Sequence, residues 1–250
     1  MPVFACLLCV LFLGAQAVAS ERSKTPDAPG FLHQQAASLK VRWRSHYLAK
    51  PPAPSTDRQR TAFSVGLLLA EAELILQTQD AQQFRNITQE LIAACRALGL
   101  SEAIMPRLMT QAQMAQQNAW EQLLPDLRAC CDHLLGLLRQ QRDSDLALFV
   151  ESGHWLRLLE ICLAPLRTDA PDEATSRLLR LAAKQATSGV VSSIKSLSAG
   201  AAGSPLGRQL RSLATRLEPL DQASAVLAVG IDEALRASDA AALPGGATPR

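Results

Sequence analysis

Apolar side chains recur along this chain at the three-to-four-residue spacing of helices, and no stretch alternates as a half-buried strand would. Leu39, Trp43 and Tyr47 fall at i, i+4 and i+8, which predicts a first helix over 31–49. Pro51-Pro52-Ala53-Pro54 then stops that helix and forms a stiff, extended spacer over 51–54. From Thr56 to Gln79 apolar residues occupy most of the circumference, as in a central, largely buried helix. Glu71 and Glu73 in its middle argue against a membrane span.

Punctuation between the apolar runs marks the remaining elements. Asp80 with Gln83 three residues on opens a helix through Phe84, Ile87, Leu91, Cys95 and Leu98, and Gly99 closes it. Ser101, or Met105-Pro106, begins the next, carrying Leu108, Ala112, Ala115 and Trp120. Pro125 is expected to break or kink the chain, leaving a helix from Asp126 to about Gln141. Another runs from Ser144 to Ala164, where Pro165 is expected to stop it. The acidic stretch Asp169–Glu173 starts a helix through Leu178, Leu181, Val191 and Ile194. Ala199–Gly203 reads as a small-residue linker, Ser204-Pro205 as the cap of a short helix through Leu217, and Asp221 as the start of a last one. The expectation is an all-α, multi-helix bundle of roughly eight helices. They form a single domain over 31–237, with mostly antiparallel neighbours because the connections are short.

The ends read differently. Met1 to Ala19 carries no charged side chain, is apolar from Val3 to Leu13, and ends in Ala17-Val18-Ala19, the layout of a signal peptide over 1–19. It lacks a basic residue before the apolar run, and Val3–Ser20 is just long enough to span a bilayer if uncleaved, which leaves a membrane anchor as the alternative. Residues 20–30 are polar with two prolines and read as a disordered leader, and 238–250 as a disordered tail. The chain is therefore expected to be exported, to the periplasm or the cell exterior.

Composition supports helices packed by Leu and Ala: 48% of residues are hydrophobic and only 4% aromatic. A net charge of +2 hides segregation, since residues 20–60 carry +5, 61–176 carry −7 and 177–250 carry +4. The favoured reading is that the basic ends fold onto the acidic middle rather than serving as partner-binding tails.

Local catalytic signatures are missing: there is no His-Glu-x-x-His, nucleophile elbow or phosphate loop. An active site assembled from distant residues, a secreted enzyme, is therefore the third reading. No cofactor or metal is expected, because Cys130, His133 and a distant Cys95 or Cys162 lack a paired Cys-x-x-Cys unit. Two readings stay open for Cys95, Cys130, Cys131 and Cys162: buried thiols that pack as small apolar groups, or disulfides formed in an oxidising compartment. Lys40–Lys50 interleaves bases with Trp43 and Tyr47. It reads as an element docked on the core or, alternatively, as contact with anionic lipid, and the proposed export argues against nucleic acid.

The most unusual stretch is Gly153-His154-Trp155-Leu156-Arg157. A glycine inside a helix costs about 1 kcal/mol relative to Ala. Close packing at Gly153 is one explanation, with Arg157 paired to Glu160 across a turn. The functional alternative makes Gly153, His154, Trp155 and Arg157 the lining of an inter-helix groove that binds an unknown protein or small ligand. The sequence is thus read as an exported, non-enzymatic helical binding protein.

Overall fold

Side chains placed just before the helices fix where they begin. Asp57 accepts from the Gln59 and Arg60 amides, Asp80 from Gln83, Asp172 from Thr175, Ser198 from Ala201 and Ser204 from Gly207, so each supplies a partner for an amide that no helical carbonyl reaches. The computed structural model describes residues 39, 41–52 and 55–218. Among them a 3-10 turn at Trp43–His46 precedes eight α-helices and no strand is found. They are α1 (Arg58–Thr78), α2 (Ala81–Ala97), α3 (Ser101–Gln116), α4 (Trp120–Gln140), α5 (Ser144–Thr168), α6 (Glu173–Lys195), α7 (Ala199–Gly203) and α8 (Pro205–Leu217).

The architecture is a multi-helix bundle, and its most extensive packing joins α1 to α5 and α5 to α6. Contacts give the directions. Asp145 meets Ser198, Ser152 meets Ser193 and Trp155 covers Gly189, so α5 and α6 are antiparallel. Arg58 meets Asp143 and Glu71 meets Arg157, so α1 and α5, far apart in sequence, run in the same direction. α1 is the central helix: Val65, Leu68, Ala70 and Ile75 have no exposed surface. It is long and apolar enough to cross a membrane by length and composition, yet it lies inside the bundle.

Several boundaries differ from the sequence reading. The helix expected over 31–49 is, in its described part, only the Trp43–His46 turn followed by irregular chain to Pro52. Leu39 and Trp43 are buried and Tyr47 half-buried as the spacing implied, but beyond that one turn the segment is held by tertiary hydrogen bonds. Pro125 does not break its helix: α4 starts at Trp120 and passes through it. The helical bond lost there would have used the Glu121 carbonyl, in an exposed first turn where water can replace it. Pro165 likewise lies inside α5, which ends one turn later. Ala199–Gly203 is a short helix rather than a linker. The signal segment 1–19, the leader 20–30, the spacer residues 53–54, the helix after Asp221 and the tail 238–250 lie outside the described residues.

Part of the charge segregation resolves as folding back. Arg42 pairs with Asp169, Arg44 with Asp80 and Arg58 with Asp143, in each case a basic N-terminal residue on the acidic middle.

Candidate functional site

The site begins with two glycines. A Cβ on Gly66 would overlap the Val150 carbonyl oxygen, and one on Gly153 would overlap the carbonyl oxygen of Phe63. Without side chains there, the main chains of α1 and α5 come into contact. Gly153 is therefore spent on close packing. Because the helices run the same way, the next turn of each brings Glu71 and Arg157 face to face.

Glu71 has no exposed surface and Arg157 is 2% exposed. Arg157 Nε and Nη2 donate to Glu71 Oε2 at 3.0 and 2.7 Å, and Nη1 donates to Glu160, the pair expected across one turn. Burial disfavours the guanidinium charge, but Glu160 and Glu71 outweigh it and hold the pKa of Arg157 above its ordinary value. The remaining valences of the pair leave the helices. Glu71 Oε1 accepts from the Leu48 amide at 2.9 Å, and Arg157 Nη2 donates to the His46 carbonyl. Residues 41–52 thus form a strap across α1 and α5, held through its main chain by two buried charges.

The strap has a second anchor just past the end of α5. Asp169 accepts from the Arg42 amide and guanidinium, each at 3.1 Å, and meets His46 Nε2 at 3.3 Å. Burial works against the charged form of Asp169. The Arg42 amide, His46, Thr168 and the Arg42 guanidinium outweigh it and hold its carboxyl down at about 2. The Trp43 side chain enters the core, and the Tyr47 hydroxyl meets Thr78 at the end of α1.

Of the four residues expected to line a groove, only Arg157 faces the strap. His154 bonds Glu73 at 3.0 Å, and the Trp155 ring lies over Gly189 of α6. The sequence reading missed Glu71, His46 and Asp169. The signal for Glu71 was present, since a carboxylate on a helix that is apolar nearly all round must have a partner.

Among the described residues, Cys95, Cys130, Cys131 and Cys162 are free thiols. Burial pushes Cys95 and Cys162 up to about 12 and Cys130 up to about 11, and raises Cys131 as well, so all four stay protonated near neutrality. Among the described residues no group of three or more His, Cys, Asp or Glu side chains is arranged to hold a metal ion. A separate polar cluster joins α3 to α4: Arg107 grips Asp126 through two hydrogen bonds, and the fully buried Gln111 donates to the same carboxylate at 2.7 Å.

Compared with protein-family profiles, curated proteins and solved structures, the chain matches none.

Proposed function

We propose that this chain is an exported, non-enzymatic binding module whose ligand site is the inter-helix groove of α1 and α5 at Arg157. The observation that carries the reading is the direction of the buried pair's spare valences. Glu71 Oε1 and Arg157 Nη2 address the amide and carbonyl of a passing main chain. A buried ion pair is a poor source of stability, because the desolvation of both charges offsets their attraction. One whose free valences grip a segment of chain is suited to recognition. The uncharged apolar segment at 1–19 supports export.

Two measurements test this reading. Panning a random displayed-peptide library against the purified protein is expected to enrich peptides whose binding weakens in Arg157→Lys. Turnover of generic ester, peptide or glycoside substrates that vanishes in His154→Ala or His133→Ala overturns it in favour of a secreted enzyme. Export is read from the intact mass of the protein recovered from its native host. A mass beginning at Ser20 supports it, and one retaining Met1 replaces it with the membrane-anchored alternative.

A further inference from the structure

The strap is held in the way a bound peptide is held. Three of its contacts to the helices run through main-chain atoms: the Arg42 amide to Asp169, the His46 carbonyl to Arg157, and the Leu48 amide to Glu71. Any segment able to adopt the same turn satisfies those three. Its side chains add Trp43, 7% exposed in the core, Val41 packed against that core, the Tyr47 hydroxyl on Thr78 and the buried His46 ring on Asp169. The spacing is short: a basic residue, an aromatic, three residues, a second aromatic.

The fit is also incomplete. Trp43 Nε1 is buried with no acceptor among the described residues, and an unsatisfied buried donor weakens the association that buries it. The Arg44 side chain is 68% exposed, so its ion pair with Asp80 adds little. The only regular structure in the strap is one 3-10 turn, and the prolines at 51, 52 and 54 set it apart from α1.

We propose that residues 41–52 are a displaceable resident of the α1–α5 groove, and that the groove accepts a segment of another protein of the same chemistry, a basic residue followed by two aromatics four positions apart. This inference rests on the binding-module reading and names its ligand class. The first aromatic position accepts Phe as well as Trp, because removal of the orphan N–H offsets the packing lost with the smaller ring.

The test uses the full chain and a fluorescein-labelled peptide of the sequence 39–52. Trp43→Ala/Tyr47→Ala in the protein loosens the resident strap, and Arg42→Ala loosens it more mildly. Fluorescence anisotropy is expected to show saturable binding to the double variant at least about tenfold tighter than to wild type, because a resident that fills the site lowers the competent fraction. Arg42→Ala falls between the two. A peptide with Phe at the first aromatic position binds within a few-fold of the Trp peptide, and one with Ala at both aromatic positions does not bind.

Equal uptake by wild type and variants overturns the proposal, because binding then lies elsewhere. So does a double variant that keeps its helical circular dichroism yet takes up no peptide. Loss of helical signal in the double variant, together with no uptake by Arg42→Ala, makes the strap an integral part of the core and also overturns it. A dimer on light scattering in place of peptide uptake overturns it in favour of strap exchange between copies. Peptide failure alongside library peptides that depend on Arg157 leaves the broader binding reading standing.

Discussion

The Arg157 guanidinium and the Glu71 carboxylate meet inside the bundle through hydrogen bonds of 3.0 and 2.7 Å, 86 positions apart in sequence. Each is buried, so removing one partner strands the other. Arg157→Met or Glu71→Leu alone is expected to destabilise by about 3–5 kcal/mol, whereas the double replacement recovers only part of that loss, because the Leu48 amide and the His46 carbonyl still lose their partners. Urea denaturation of the two single variants and the double variant checks it through the coupling energy.

Gly153→Ala and Gly136→Ala are the same chemical change inside helices, with opposite expected outcomes. At Gly153 the new methyl meets the Phe63 main chain, which cannot rotate away, and the cost is about 3 kcal/mol or more. At Gly136 nothing lies within 4 Å of the new methyl, so the better helix former stabilises by about 0.5–1 kcal/mol. Thermal melts of the two variants should move in opposite directions.

Acid is expected to loosen the strap before it unfolds the helices. Asp169 is held at about 2, below the ordinary value of roughly 3.9. A carboxyl depressed by folding contributes stability above its unfolded value and loses that contribution as pH falls through its folded value. The window is therefore about pH 4 to 2, and the groups facing Asp169 there are His46, Arg42 and Thr168. The Arg42 amide proton, followed by NMR, is predicted to titrate with a midpoint near 2, and Asp169→Asn to abolish that titration.

The thiols are predicted to be inert in the native state. Alkylation at pH 8 should modify none of Cys95, Cys130, Cys131 and Cys162 rapidly, and all four after denaturation, because burial raises every one of them. Mass spectrometry before and after guanidinium counts the labels. Pairing of any two in the native protein would restore the disulfide reading.

What was legible in the sequence is what short-range chemistry decides. Asp80 and Ser204 announced their helices because a cap acts on amides two or three residues away, and the acidic stretch 169–173 announced α6 through the charge it places at the helix start. Gly99 announced an end because its φ of +79° favours a residue without Cβ. Pro125 and Pro165 misled, since the cost of one missing N–H is settled by where the orphaned carbonyl lies, which the sequence does not state. Trp43 was rightly read as facing the core, but the spacing of Leu39, Trp43 and Tyr47 cannot separate a helix from a short turn pinned by distant partners. Those partners, Glu71, Arg157 and Asp169, are brought to the strap only by the folding of α1 beside α5. Both of those helices are apolar nearly all round yet carry buried charge, and that combination was the available clue. Arg157 was selected for its neighbour Gly153, which turned out to set the helix approach that makes its pairing possible.

Native-state hydrogen exchange of residues 41–50, read by mass spectrometry with increasing urea, tests whether the strap is a separable occupant of the α1–α5 groove. Segments that open locally exchange at free energies below that of global unfolding. The Leu48 amide is predicted to exchange through such a local opening while the cores of α1 and α5 remain protected. Exchange of the strap only together with α1 and α5, at the free energy of global unfolding, would contradict a separable strap.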